Sequence, residues 1–168
     1  KLLPYAFQHI LEQLNHKFSL RKFRDKYFII AADGCEFNIA RNPFDHSTFH
    51  PSNKKSKRGF NMIHTISLYD LLSKRYLDLV VQPGRIKNEY LALCQLMDRY
   101  AYGGCPIVVA DRGFSSYNVF AHAMEKGAFF VIRAKDINTK RILGWDSLPQ
   151  QIDQWAEVIL TRTTSKKK

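Results

Sequence analysis

Two aspartates, Asp33 and Asp111, are the residues of this sequence best placed to do chemistry. Each follows a short apolar run that is typical of a buried strand, Tyr27 to Ala32 for the first and Pro106 to Ala110 for the second. Carboxylates that meet at strand ends repel each other unless a cation neutralises them, and their oxygens suit Mg²⁺ or Mn²⁺. Two such ions about 4 Å apart would favour phosphoryl transfer. Aspartates at strand ends also form turns and caps, so position alone leaves both interpretations open.

The elements that must position these acids follow from the apolar pattern. The strand before Asp33 is predicted to end in a turn at Asp33 and Gly34. Residues 4 to 17 carry apolar side chains at helical spacing, which predicts an amphipathic supporting helix that packs onto the chain after it. Phe60 to Tyr69 and Tyr76 to Gln82 are predicted to pair as a hairpin.

Helices are predicted on either side of the second aspartate. One is capped by Asn88, and the other is capped by Ser115 or Ser116 and leads into a strand from Ala128 to Arg133. Strand-helix-strand crossovers require parallel neighbours, whereas the hairpin requires antiparallel ones. A mixed α/β sheet with flanking helices is therefore expected.

The composition favours a polyanionic partner. Lys and Arg total 26 against 15 Asp and Glu, a formal charge of +11, which exceeds what solubility requires and indicates nucleic acid. A basic ribosomal or membrane-surface protein, or a simply basic globular one, is the alternative. Three cysteines without paired spacing favour a reducing cytoplasm, and neither a membrane span nor a signal peptide is indicated.

Four stretches around the aspartates occur in a fixed order along the chain. They are IIAADG at 29 to 34, IHTISLYDLLSKRYLDLVVQPGRIKNE at 63 to 89, IVVADRGFSSYNVF at 107 to 120 and GAFFVIRAK at 127 to 135. Together they resemble the DDE transposases of bacterial insertion sequences, in particular the group called the IS-four type. The resemblance covers roughly residues 27 to 135.

The resemblance implies a ribonuclease H-like fold in which Asp33 and Asp111 are catalytic acids that bind metal. It implies two Mg²⁺ or Mn²⁺ ions in the complete enzyme, hydrolysis at transposon ends, and attack of the freed 3′-hydroxyl on target DNA. DNA is then the partner, with no membrane, a homodimer is expected for the complete protein, and the location is the bacterial cytoplasm, near the nucleoid.

The same resemblance divides the chain into three parts. Residues 1–26 are expected to be a helical support, 27–135 the partial catalytic core, and 136–168 the start of a β-rich insertion in which the chain is truncated. The family's third acid is a Glu in a Tyr-x2-Arg-x3-Glu-x6-Lys pattern that does not occur here. Glu157 lies in the predicted strand AEVILT without those neighbours and is interpreted as an ordinary residue.

The third acid is therefore expected outside this chain, and the fragment alone is expected to be inactive. Two alternatives stay open at this point. One is a catalytically degenerate or domesticated DNA-binding domain, and the other is a nuclease of the same fold.

Several basic residues are candidates for DNA contact. Residues 41 to 57 have loop composition, and the cations at the end of this stretch either contact DNA phosphates or form a solvated face. Those cations are Lys54, Lys55, Lys57 and Arg58. Arg112 and Arg133 have the same candidate role, with salt bridges to neighbouring carboxylates as the alternative.

The remaining reactive side chains are interpreted as structural. His46 and His50 are four residues apart but lie in a loop without further ligands, which favours surface positions over a zinc site. His64 is predicted to be packed or hydrogen-bonded within its strand. Cys35 is predicted to be a packing residue rather than a nucleophile.

Overall fold

The computed structural model describes residues 3–54, 56–100 and 103–133 and the single positions 153, 155 and 157. In chain order its elements are α1 (Leu3–Lys17), β1 (Tyr27–Ile39), β2 (Phe49–His50), β3 (Phe60–Asp70), β4 (Arg75–Pro83), α2 (Glu89–Arg99), β5 (Cys105–Ala110), a 3-10 turn (Arg112–Phe114), α3 (Tyr117–Glu125) and β6 (Phe129–Ile132). None of the described helices is long and apolar enough to cross a membrane. Lys55 and nearly all of the expected insertion lie outside the described residues, and the three-part division stays a prediction.

The described strands form one mixed sheet of six. β3 pairs antiparallel with β1 and β4, while β5 pairs parallel with β1 and β6. The two-residue strand β2 pairs with the start of β3. The parallel strands are joined through α2 and α3, as crossover connections require, and the expected mixed α/β sheet with flanking helices is confirmed.

The core lies on one face of this sheet, beneath α2 and α3. Alternate residues of the central strands face it, with Ile30, Ile66 and Leu68 at most 2% exposed. They pack in one cluster with Leu93 of α2 and Val119 of α3. Burial of such side chains contributes roughly 1.5 to 3 kcal/mol each, so this face anchors the strands that carry both aspartates.

The opposite face of the sheet, which we call the open face, has no helix over it among the described elements. Its side chains on the parallel strands are apolar but none is fully buried: Ile29, Ala31, Ile107, Val109, Phe129 and Val131. Phe129 and Val131 are 56% and 60% exposed. The sheet is therefore asymmetric, with a packed face and an accessible one.

The predicted N-terminal helix is confirmed by α1, but its packing differs from the expectation. Among residues 5 to 17 only Leu11 and Asn15 are buried, whereas Ile10 and Leu14 are 56% and 47% exposed. The Asn15 amide donates to the carbonyl of Tyr76 at 3.1 Å. Because α1 meets the rest of the chain along the edge strand β4, it buries a narrower stripe than its apolar pattern suggests.

Candidate active site

The parallel pairing of β1 with β5 brings the two aspartates together. Ala32 and Ala110 are the last register partners of these strands, and the next residue on each is an aspartate. Neighbouring strands are about 5 Å apart, so Asp33 and Asp111 leave the pairing side by side. Because side chains alternate along a strand and both alanines face the core, both acids lie away from the helix-covered face.

β1 does not end at Asp33, contrary to the prediction of a turn there. The strand continues to Ile39 because its antiparallel pairing with β3 runs on to Ile39 and Asn61. Only the pairing with β5 stops at Ala32. Asp33 therefore sits where two parallel strands part, inside a strand that is held on its other side.

Each of the two carboxylates is held by one backbone N–H, which leaves its second oxygen available to a ligand. One oxygen of Asp33 accepts the N–H of Gly34 at 2.7 Å, and one oxygen of Asp111 accepts the N–H of Gly113 at 2.7 Å. Asp111 thereby caps the 3-10 turn, a turn the sequence did not predict. Both acids are exposed, and neither forms an ion pair in the described part of the chain.

This donor set fits a divalent cation. Two like charges lie on adjacent strands with no cationic partner among the described side chains, and their free oxygens are the hard ligands that Mg²⁺ and Mn²⁺ prefer. Within the same residues, no third His, Cys, Asp or Glu joins them in a group that could hold a metal.

An arginine extends this row of residues. Ala110 of β5 is also the register partner of Ile132 of β6, so Arg133 leaves the sheet beside Asp111. Both Arg133 and Arg112 are exposed, and neither pairs with a carboxylate among the described residues. The salt bridges weighed as an alternative are therefore not observed there, and both guanidinium groups face solvent near the acids.

Position 34 requires a glycine because the ring of His64 lies close to its Cα. A Cβ at Gly34 would lie 3.0 Å from Cε1 of His64 and 3.0 Å from Cδ1 of Ile66, closer than ordinary van der Waals contact. Its φ is not positive, so the requirement for glycine comes from packing and not from a turn. The residue after Asp33 is thus packed against a buried imidazole.

His64 belongs to a polar network at the start of α2. Nζ of Lys87 lies 2.7 Å from Glu36 and 3.4 Å from Glu89, and Glu89 lies 3.4 Å from Nε2 of His64. The hydrogen bond from Lys87 lowers the pKa of Glu36 and raises that of Lys87. His64 is 3% exposed and its ring nitrogens make no hydrogen bond within the described chain; burial, followed by the charge of Lys87, lowers its pKa.

We expect the free energy of unfolding to fall as the pH is lowered from 7. The pKa of His64 lies below its ordinary value of 6.5 in the fold, so the unfolded chain takes up a proton first and stability is lost as the pH falls below 6.5. Glu36 has a pKa below 4.5 and adds a second loss below that pH. Urea denaturation at a series of pH values measures both.

The variant His64→Gln separates the two losses. It should remove the loss that begins near pH 6.5, because glutamine does not titrate, and keep the loss that Glu36 causes. An unchanged loss between pH 6.5 and pH 5 in this variant would contradict the assignment to His64.

The loop that carries Lys54, Lys57 and Arg58, which we call the basic loop, is anchored by a buried asparagine that sequence reasoning missed. Asn61 is 1% exposed; its amide donates to the carbonyl of Asn42 at 2.9 Å and to the hydroxyl of Thr48 at 2.8 Å, and it accepts the N–H of Asn42 at 2.7 Å. Asp45 accepts the Thr48 hydroxyl at 2.6 Å. Because these buried polar groups satisfy one another, the loop is held to the start of β3. The one signal for this was a polar residue at the start of an apolar strand.

The loop presents its cations at the same end of the sheet as the acids. Lys54, Lys57 and Arg58 are exposed, and the carbonyl of Arg58 accepts Nε of Arg41 at 3.1 Å. The loop follows Ile39, six residues beyond Asp33 along β1, which is roughly 20 Å at strand spacing. The loop therefore begins beyond the acids along β1, at the same end of the sheet.

The remaining predictions have mixed outcomes. His64 is packed, as expected, and His46 and Glu157 are exposed. The surface position predicted for His50 is wrong, because its ring stacks on Phe60 with centroids 5.0 Å apart and its Nε2 is buried. The packing role predicted for Cys35 is also wrong, since it lies past the end of the β5 pairing and is exposed.

Comparison with known proteins identifies the family to which this geometry belongs. A family model described as the transposase DDE domain matches residues 25–168. Among solved structures, the chain is similar to a piggyBac transposase in a synaptic complex with hairpin DNA, with a TM-score of 0.41 and 16% identity. That likeness covers 64% of this chain and 23% of the piggyBac chain. No curated protein matches the chain.

Proposed function

This chain belongs to the transposase DDE domain family, and we propose that it forms the core of an insertion-sequence transposase that cuts DNA ends and joins them to a target. Asp33 and Asp111 are the two acids of the core that bind metal. The observation that carries this assignment is the register of Ala32 with Ala110, which places the acids on adjacent strands. The homodimer and the location in the bacterial cytoplasm stay predictions.

The chemistry divides between the cation and the chain. Mg²⁺ or Mn²⁺ held by Asp33 and Asp111 would neutralise charge on the phosphate and activate an attacking oxygen. The chain positions both carboxylates through their backbone amide contacts, so little reorganisation is needed when the substrate arrives. The third acid of the family pattern, a Glu, is part of this proposal and comes from outside the described residues.

Arginines beside the acids suit the DNA backbone. Arg133 leaves the sheet next to Asp111, and Arg112 follows it in the chain. A guanidinium group donates two parallel hydrogen bonds to phosphate oxygens, so these residues would hold the strand whose phosphate lies at the acids. The exposed loop cations Lys54, Lys57 and Arg58 would contact phosphates farther along the duplex.

Cleavage of matched substrates tests the proposal. The full-length polypeptide is incubated with duplex DNA that carries the terminal repeats of its own element, with Mg²⁺, with Mn²⁺ or with EDTA, and nicked strands are counted. We expect nicking that requires both the cation and the repeats. Equal cleavage of a scrambled duplex would favour the nuclease alternative, and binding without cleavage under either cation would favour the degenerate DNA-binding domain.

A further inference from the structure

A second group of cations lies at the other end of the sheet from the acids, where neither the site nor the basic loop uses it. We call it the hairpin-end patch, because it combines the segment before β1 with the turn between β3 and β4. Its members are Lys17, Arg21, Lys22, Arg24, Lys26, Lys74 and Arg75.

Cations outnumber acids in this patch. All of its members except the half-buried Arg75 are exposed, and none of them forms an ion pair among the residues that the structure describes. Two acids lie against these seven cations: Asp25 within the segment before β1, and the buried Asp70, which is the register partner of Arg75 and accepts the N–H of Ser73. An excess of cations gathered at one end of the sheet raises the local potential and attracts a polyanion.

Backbone contacts hold the patch in a defined shape. The guanidinium of Arg75 donates to the carbonyls of Phe18 and Ser19, both at 3.0 Å, and the N–H of Arg21 donates to the hydroxyl of Ser73 at 2.8 Å. These bonds join two distant segments around an open depression of about 420 Å³. It is lined by Phe18, Ser19, Arg21, Leu72, Ser73, Lys74 and Arg75.

Aromatic rings lie among these cations. Phe18 and Phe23 are 53% and 45% exposed. The cations of Lys17 and Arg75 lie 5.8 and 5.7 Å from the Phe18 ring, and that of Arg24 lies 5.4 Å from the Phe23 ring. A cation that lies over a ring keeps its charge but has less side-chain freedom. The conformational entropy that it loses when it binds an anion is therefore smaller.

The patch and the acids are too far apart to share one phosphate. Tyr27 at the start of β1 is six residues before Asp33, a separation of roughly 20 Å at strand spacing. Along a duplex this corresponds to about six base pairs at 3.4 Å each.

We propose that the hairpin-end patch is a second DNA-binding surface, which holds the phosphate backbone of the duplex at least about six base pairs from the cleaved bond. The inference rests on the proposed function, since it takes DNA as the substrate. Nucleic acid is favoured over an anionic membrane because Arg21, Lys74 and Arg75 line a depression that backbone contacts hold in a defined shape, which suits the fixed positions of backbone phosphates.

The test compares two triple variants in the full-length protein. One is Arg21→Ala with Lys22→Ala and Lys26→Ala in the patch, and the other is Lys54→Ala with Lys57→Ala and Arg58→Ala in the loop. Arg24 and Lys74, whose φ values are 50° and 55°, are left unchanged so that only residues with ordinary backbone angles are substituted. Fluorescence anisotropy with a duplex of about 40 base pairs gives Kd at several salt concentrations.

We expect the patch variant to weaken binding about tenfold or more and to reduce the salt slope by about 2 to 3, close to 0.9 for each lost phosphate contact. The loop variant should also reduce the salt slope of binding, whether or not the patch is changed. The control Lys22→Arg with Lys26→Arg keeps the charge and should bind like the wild type, and unchanged urea midpoints show that the exposed substitutions leave the fold intact.

The outcomes separate this inference from the proposed function. If the patch variant keeps the wild-type slope while the loop variant loses slope, the patch does not bind DNA and the inference is overturned. If neither variant changes binding, DNA contact by the loop fails as well. If the patch variant loses binding to phosphatidylserine vesicles but not to DNA, the patch is a membrane surface and the inference is again overturned.

Discussion

Asp33→Asn combined with Asp111→Asn is expected to reduce metal-dependent nicking by about 10³-fold or more, because several kcal/mol of charge stabilisation at the phosphate depend on the cation. Asparagine keeps the size of the side chain and removes the charge that holds the metal. Both acids are exposed and without ion pairs in the described residues, so the fold should be unaffected. The measurement is the single-turnover nicking rate of the full-length protein with saturating Mn²⁺.

Metal affinity gives a second readout that does not depend on activity. Calorimetry should show Mn²⁺ binding to the wild-type chain and at least about tenfold weaker binding to Asp111→Asn, equivalent to 1.4 kcal/mol. Asp25→Asn is the matched control, since Asp25 is also exposed but lies at the other end of β1. Nicking that survives in the double variant, or equal Mn²⁺ affinity in Asp111→Asn, would disprove the assignment of these acids.

Gly34→Val is expected to lower the free energy of unfolding by about 3 kcal/mol, at the upper end of the usual cost of overpacking a core. Even a single Cβ at this position would approach the ring of His64 and the end of Ile66 to 3.0 Å. Valine adds two further methyl groups, so the imidazole or the strand must move. Urea denaturation monitored by circular dichroism measures the loss.

Two comparisons test the cause of that loss. Ala31→Val places the same side chain on the open face of the same strand and should change stability by no more than about 0.5 kcal/mol. Combining Gly34→Val with His64→Ala should cost at least about 1 kcal/mol less than the sum of the separate effects, because the valine fills the space of the lost ring. Strict additivity would show that the two residues do not compete for space.

The sequence was sufficient to predict the helices, the longer strands and the hairpin, but not the 3-10 turn, the two-residue strand β2 or the full length of β1. Residues 60 to 69 and 76 to 82 alternate or run apolar in a way that predicts the hairpin, and Asn88 caps α2 by accepting the N–H of Leu91 at 3.0 Å, as expected. The length of β1 could not be predicted, because residues 33 to 39 stay extended through pairing with β3 rather than through their own apolar pattern. Long-range pairing decided the outcome there.

The candidate site shows the same division. The motifs around Asp33 and Asp111 predicted that the two acids belong together, although spacing alone could not pair them. Three features could not be predicted, because each joins segments that are separated in the chain. They are the contact between Gly34 and His64, the anchoring of the basic loop by Asn61, and the hydrogen bonds of Arg75 beside the open depression. Tertiary contacts of this kind leave no periodic signal in the sequence.

The register between β1 and β5 also determines which sequence changes this site tolerates during evolution. The spacing of the two acids is fixed by a backbone ladder that runs from Tyr27 and Cys105 to Ala32 and Ala110, and core side chains of similar size can be exchanged without disturbing that ladder. A deletion of one residue within β5 would instead turn Asp111 towards the face covered by the helices. Related sequences can therefore drift far in residue identity along these strands, but the count of residues before each acid has to be kept.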